Sequence, residues 1–468
     1  MLRNSVAWGV VLACTLVGSL ADSSASRAAA PEKPNVLFIA VDDLNDWTGY
    51  LGGAYQPVKT PNLDRLAARG VFFTRAYCSA PACNPSRASL LTGVRPSTSG
   101  VYSNSNPWRV QMPDAVTLPQ HFMAAGYKVH GAGKIFHGRF RDPASWQVYF
   151  ARPATLYPKN RPVNGIPNTA HFDWGPIPGD DRDMGDTAVA NFGVHFLLSE
   201  KKQPPFFLAV GLFRPHLPWY VPRKYFDEYA LDEIVLPKVK EDDLDDVPPI
   251  GRKMARPEGD HANVLKYKQW EKAVRGYLAS ITYADGQIGR LLDALDTSPY
   301  AENTIIVLWT DHGWHLGEKL HWRKFTLWEE ADRVPMIFVV PGLTKPGVRC
   351  ERTVSLLDIY PTLADLCGLP VGEHLEGKSL RPLLADPKAE WDRAVVTTHG
   401  RNNHAVRSER YRYIRYSDGT EELYDHENDP MEWINRAADP DLAEVKRELA
   451  RWLPKVNAEE GPRKKKGT

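Results

Sequence analysis

Two uninterrupted apolar runs that each end on charged residues limit the fold of this chain most. Residues 35–41 read Asn-Val-Leu-Phe-Ile-Ala-Val and stop at Asp42-Asp43, and residues 304–310 repeat the design before Asp311-His312. A strand that is apolar at every position has no solvent face, so it must be covered on both sides, as in a parallel sheet. Residues 205–210 and 334–340 are two further apolar strands, and 129–132 is a weaker one. Helical patterns lie between them. Thr60-Pro61-Asn62-Leu63 opens a helix with a capping residue and a proline in the first turn, and Gly70 closes it. Apolar residues recur at helical spacing over 276–295 and 356–366. Strands alternating with helices predict an α/β fold, a large, mostly parallel sheet sandwiched by helices. Ligands in such sheets bind beyond the carboxyl ends of the strands. Both charged clusters therefore stand where a site belongs.

The 468 residues, 43% hydrophobic and 25% charged, suffice for one large α/β domain with an appendage. The 58 basic residues barely exceed the 57 acidic ones, which argues against nucleic acid as a partner. Residues 1–21 read as an export signal: Met1-Leu2-Arg3, an apolar run over 6–20, then Ser19-Leu20-Ala21 for cleavage. That run is marginal for a stable membrane span, so a periplasmic or secreted location is expected; a lipoprotein anchor at Cys14 is the alternative. Residues 22–33 read as a leader, 34–388 as the main domain, and 389–468 as a small C-terminal subdomain. In the last, alternating segments around Ala405-Val406-Arg407, Tyr411-Arg412-Tyr413 and Glu422-Leu423-Tyr424, with a turn at Asp418-Gly419, predict an antiparallel sheet. A helix over 440–453 closes it, and the basic tail Arg463-Lys464-Lys465-Lys466 reads as a solvated end. Segments 152–185 and 235–265, rich in Pro, Gly and Asp, read as long loops over the ligand edge. Beyond the signal, Cys78, Cys83, Cys350 and Cys367 are too sparse to staple the fold; a Cys350–Cys367 bridge is left open.

Asp42-Asp43 at one strand end and Asp311-His312 at another offer oxygen-rich ligands for a shared divalent ion. The imidazole of His312 is softer than the usual calcium ligands. Cys83-Asn84-Pro85-Ser86-Arg87 places a cysteine at a helix start, where amide groups and the nearby guanidinium favour an anion. On chemistry alone Cys83 is either a reactive residue or a structural thiol, free or bridged to Cys78.

The run from Cys83 through Leu90-Leu91-Thr92-Gly93 resembles the signature of the type I sulfatases. A second family signature follows at Gly126-Tyr127-Lys128-Val129-His130-Gly131-Ala132-Gly133-Lys134, with Val129 where a hydroxyl residue is usual. Gly133-Lys134-Ile135-Phe136-His137, Arg214-Pro215-His216-Leu217-Pro218 and Asp311-His312-Gly313-Trp314 are most similar to the iduronate-2-sulfatase branch, with Arg214 standing where lysine is usual. The resemblance implies an alkaline-phosphatase-like fold and a sulfate-ester hydrolase. It implies that Cys83 is oxidised to formylglycine by a maturation enzyme, and that Asp42, Asp43, Asp311, His312 and residue 83 hold one Ca²⁺. Arg87 would orient the nucleophile, Lys134 and Lys324 neutralise the sulfate, His216 protonate the leaving sugar oxygen, and His137 expel sulfate. Trp314 would line the sugar pocket, and Arg139, His315, His321 and Arg323 could face a sugar carboxylate. The implied substrate is a sulfated sugar or polysaccharide, with a 2-O-sulfated uronate favoured. A phosphonate or phosphodiester hydrolase of the same superfamily and a non-catalytic sulfated-glycan binder are the alternatives.

Overall fold

The computed structural model describes residues 33–51, 58–169, 171–199 and 205–464, with isolated positions among the first nine. Most of the export signal, Cys14 and nearly all of the leader lie outside the described residues.

Eight strands build the main sheet: β1 (Asn35–Asp42), β2 (Val71–Tyr77), β3 (Lys128–Gly133), β4 (Val148–Phe150), β5 (Phe206–Pro215), β6 (Thr304–Thr310), β7 (Met336–Val339) and β8 (Val348–Ser355). They lie in the order β8-β2-β7-β6-β1-β5-β3-β4. All neighbours are parallel except β7, which runs antiparallel to β2 and β6. The apolar runs are explained by their place in this order. β1 is central, flanked by β5 and β6, and every one of its residues is buried. Val36, Phe38 and Ala40 enter one core, while Leu37, Ile39 and Val41 enter the other. β6 divides in the same way, with Ile305, Val307 and Trp309 on one face and Ile306 and Leu308 on the other.

Helices α1 (Pro61–Ala67), α3 (Gly185–Leu197) and α4 (Trp270–Asp296) cover the face of Leu37; α2 (Cys83–Thr92) and α5 (Ile359–Leu366) cover that of Phe38. α4 is 27 residues long, extending the predicted helix at its N-terminus. Thr60 does not cap α1 with its side chain. Asp285 of α4 does so instead, accepting from the N–H groups of Asn62 (3.1 Å) and Leu63 (2.8 Å). Gly70 is required by close packing: a Cβ there would stand 2.1 Å from the carbonyl oxygen of Phe338 in β7.

Four antiparallel strands, β9 (Val395–Thr398), β10 (His404–Arg407), β11 (Tyr411–Arg415) and β12 (Glu421–Asp425), form the C-terminal sheet. Gly419, at φ 86°, makes the β11–β12 turn, and α6 (Ala443–Ala450) packs on this sheet through Leu449. The α/β architecture and the small C-terminal sheet are as expected.

Other expectations are corrected. Segment 152–185 carries a strand, Trp174–Ile177, which pairs with Trp219–Pro222, and Trp174 and Trp219 of the two strands both enter the core that α4 covers. Segment 235–265 carries a helix at Pro249–Ala255 and the start of another at Asp260–Lys266. The basic end does not fray at once: the N–H groups of Ala458, Gly461 and Lys464 donate to the carbonyls of Ser97, Gly100 and Ser105. Cys78, Cys83, Cys350 and Cys367 are all free thiols. Among the described residues, no helix is long and apolar enough to cross a membrane.

Candidate active site

The register of the central strands assembles the site. Val41 of β1 stands opposite Thr310 of β6, so Asp42-Asp43 and Asp311-His312 leave the sheet side by side. On the other flank Asp42 pairs with Pro215 of β5 after a register shift, which brings His216 to the same edge. Asp43 adopts φ 61°, unusual for a non-glycine residue and frequent at functional positions. The turn is held by Tyr277 of α4, whose hydroxyl donates to the Asp43 carbonyl (2.8 Å) and accepts from the Asn45 N–H (2.9 Å).

Cys83 is the first residue of α2, and all ten residues of that helix are buried. Its Sγ lies 3.3 Å from His312 Nε2, 3.0 Å from Lys324 Nζ and 3.7 Å from Lys134 Nζ. Burial pushes the thiol above its ordinary value, against the pull of both lysines. One turn on, Arg87 is wholly buried and joins two strand ends. Its Nη2 donates to Asp42 Oδ1 (2.9 Å) and its Nε to Asp311 Oδ2 (2.8 Å). Nη1 donates to the carbonyls of Lys134 and Ile135. Lys134 pairs with Asp42, and Lys324 with Asp43 Oδ1 at 2.6 Å. The positive φ of Arg323 (80°) and Phe325 (79°) bends the chain around Lys324.

Three carboxylates, Asp42, Asp43 and Asp311, thus face three cations, Arg87, Lys134 and Lys324. Burial raises Asp43 to about 7 and raises Asp42 as well. Burial alone would raise Asp311 too, but Arg87, with His312 and the lysines, holds it well below the usual carboxylate range.

The donor set fits a divalent cation. One ligand atom each from Asp43, Cys83, Asp311 and His312 lies within 4.8 Å of the others, and so does a set from Asp42, Asp43, Cys83 and His216. Asp43 Oδ2 is buried without a hydrogen-bond partner. Burial lowers His312, which keeps its imidazole neutral. Its Nδ1 is 3.0 Å from the Gly313 carbonyl, so Nδ1 carries the proton and Nε2 presents its lone pair to Asp43 and Asp311 (3.4 and 3.5 Å).

Two further histidines flank the cluster. His216 places Nδ1 2.6 Å from the Leu217 carbonyl and Nε2 3.7 Å from Asp43 Oδ2. Burial, Lys134 and Lys324 hold it well below its ordinary value. His137 is lowered to about 2 by burial and the same two lysines, and its buried Nδ1 has no hydrogen-bond partner.

Not every predicted residue reaches the cluster surface. Trp314 is 2% exposed and packs against Trp219; its ring lies 5.4 Å from the Lys324 ammonium, so it supports that lysine from the core instead of lining a sugar pocket. His315 and His321 are buried with both ring nitrogens engaged. His315 meets Glu318 O and Thr326 Oγ1, and His321 meets Ala255 O and Lys324 O, so neither faces solvent. Arg323 is partly exposed and paired with Asp260 at 2.5 Å, and Arg139 is exposed. The sequence reading missed Tyr277, which carries no local motif, and His171, whose exposed ring lies 5.3 Å from that of His216.

The sulfatase family profile matches residues 34–369, and one described as N-sulphoglucosamine sulphohydrolase, C-terminal, matches residues 317–459. The chain is 42% identical over 452 residues to a sulfatase of Formosa agariphila, covering 91% of this chain and 87% of that protein. It is 32% identical over 419 residues to the iduronate 2-sulfatase of Mus musculus, covering 78% and 74%. The solved phosphonate monoester hydrolase of Silicibacter pomeroyi superposes with a TM-score of 0.76 at 23% identity, over 89% of this chain and 94% of that one. At that identity the likeness speaks for the fold alone. With the profile running from the first strand past α5 and relatives matched over most of their own lengths, the chain belongs to the sulfatase family of sulfuric ester hydrolases.

Proposed function

We propose that this protein is an exported sulfatase that removes the 2-O-sulfate of a uronic acid in a sulfated polysaccharide or its fragments. It would use residue 83 as formylglycine and one Ca²⁺ at the three-aspartate centre. The observation that carries this reading is the convergence on Cys83 of three carboxylates and two lysines at the start of a buried helix. The uronate rests on likeness to the mouse iduronate 2-sulfatase, and export rests on residues 1–21.

Asp42, Asp43, Asp311 and His312 would hold the metal, which supplies Lewis-acid charge to a sulfate oxygen and to the nucleophile. Oxidised to the aldehyde, residue 83 would offer a hydrate hydroxyl as nucleophile. Because Cys83 is 1% exposed, the maturation enzyme would act before α2 is packed. Arg87 fixes the spacing of Asp42 and Asp311, and so the geometry of the centre. Lys134 and Lys324 carry the ammonium groups nearest Sγ, where they would neutralise the anionic sulfate. That neutralisation bears on the histidines. The lysines depress His216, and an anion between them removes part of the depression. With Nδ1 held on Leu217, His216 would hold at Nε2 the proton that the leaving sugar oxygen takes. His137, with a free buried Nδ1, would accept the proton that accompanies release of sulfate.

The test is a panel of sulfated mono- and disaccharides that varies sulfate position and the presence of a carboxylate, with matched phosphate and phosphonate esters. Release of sulfate fastest from uronate 2-O-sulfates supports the reading. Preference for neutral 6-O-sulfated sugars overturns the substrate, preference for phosphonate esters overturns the reaction, and binding without turnover overturns catalysis.

A further inference from the structure

Arg214 is the penultimate residue of β5 and is 1% exposed, yet its guanidinium makes no hydrogen bond to a carboxylate. It turns to backbone carbonyls. Nε and Nη2 both donate to Tyr220 O at 3.2 Å, and Nη1 donates to His216 O at 3.0 Å. Its own N–H donates to Asp186 Oδ2 in α3 (2.8 Å). The loop between these carbonyls is tied once more by Trp219 Nε1 to Pro215 O at 2.7 Å. A buried guanidinium without hydrogen-bonded charge compensation is costly to keep. What this one accomplishes is to pin the main chain at His216 itself and at Tyr220, four residues on.

We infer that Arg214 is the positioning residue for His216, holding its Nε2 toward the metal edge by a planar fork that spans two carbonyls. The inference rests on the reading of His216 as the proton donor. In that step the electron pair of the breaking S–O bond passes to the sugar oxygen, which takes the Nε2 proton while sulfur is bonded by the nucleophile. A lysine at 214 keeps the charge but replaces the rigid fork with a single flexible ammonium. The backbone of 216–220 then loosens, and the proton donor is misplaced without loss of the metal ligands or lysines.

A donor that is misplaced matters only when the leaving oxygen needs a proton. The experiment compares kcat/KM of the wild type, Arg214→Lys, Asp186→Asn and His216→Ala on three esters of falling leaving-group basicity. These are the preferred sugar sulfate, an analogue with fluorine beside the leaving oxygen, and 4-nitrophenyl sulfate. Ratios between substrates on one preparation do not depend on the fraction folded. His216→Ala is expected to lose about 10²–10⁴-fold on the sugar sulfate and only a few-fold on the aryl ester. Arg214→Lys is expected to show the same selective loss at about tenfold, and Asp186→Asn a smaller one. Equal losses on all three esters in Arg214→Lys and Asp186→Asn, while His216→Ala is selective, overturn the positioning role. If His216→Ala is itself unselective, the proton-donor reading fails, and the inference with it.

Discussion

Replacing Arg87 by methionine removes the one side chain that holds two of the three strand-end carboxylates. The side chains of Arg87, Asp42 and Asp311 are all fully buried. Removing one partner of a buried ion pair costs about 3–5 kcal/mol, because the remaining charge stays uncompensated. The carbonyls of Lys134 and Ile135 lose a donor too, at about 1–3 kcal/mol for a group left unsatisfied. Asp42 keeps Lys134 and Asp43 N–H still reaches Asp311, so the lower part of the combined range is expected, about 4–5 kcal/mol. Against a total stability of about 5–15 kcal/mol, such a variant folds but only weakly. The sign of its pH dependence is diagnostic. In the wild type Arg87 opposes burial and holds Asp311 well below its ordinary value, so that pairing contributes stability above pH 4 or so and loses it in acid. In the variant Asp311 is raised, and its protonated form is the stable one. The gap between the two proteins in urea unfolding should therefore be widest near pH 8 and shrink toward pH 5. A gap under about 1 kcal/mol, or one that does not change with pH, would refute the guanidinium as the counter-ion of a buried acidic centre.

Asp311→Ala, or chelation of the wild type, should abolish sulfate release, and elemental analysis should find about one calcium per chain in the wild type and none in the variant. Full activity of metal-free protein would remove the metal from the account. Burial raises Glu318 to about 7, with its Oε2 accepting from the Leu316 N–H at 2.7 Å. Protonated Glu318 therefore stabilises the fold fully below pH 4.5, and this contribution is lost as the pH rises through 7. Between pH 5 and pH 8, Glu318→Gln should lose about 2–3 kcal/mol less unfolding free energy than the wild type does. An unchanged slope would show that this carboxyl is not desolvated.

The fold was legible where burial leaves a one-dimensional trace. Between their end residues β1 and β6 are apolar at each position because two cores take alternate residues, and that pattern survives in the sequence without knowledge of neighbours. β2 and β8 lacked it: Arg75, Arg349 and Glu351 break their apolar character, since both strands lie toward one end of the sheet and leave those side chains open to solvent. Asp285 could not be read as the cap of α1, because the bond spans 222 residues. At the site, residues beside a signature were found, and their direction was not. Trp314, His315 and His321 flank Lys324 or the Asp311-His312 turn in sequence, yet each points inward: Trp314 backs the Lys324 ammonium, His315 meets Glu318 and Thr326, and His321 meets Ala255 and the Lys324 carbonyl. Adjacency along a chain that bends at Arg323 and Phe325 does not fix which side faces substrate. Arg214 was visible only as an unexpected residue type; its fork onto Tyr220 and His216 is a property of the folded loop.

The most direct measurement is mass spectrometry of the tryptic peptide running from residue 76 to residue 87, taken from active protein after thiol alkylation. That peptide holds Cys78 as well as residue 83, so it carries its own control. The account predicts one alkylated cysteine, Cys78, and at position 83 an aldehyde or its hydrate that takes no alkylating group. Two alkylated cysteines in material that releases sulfate at full rate would contradict it.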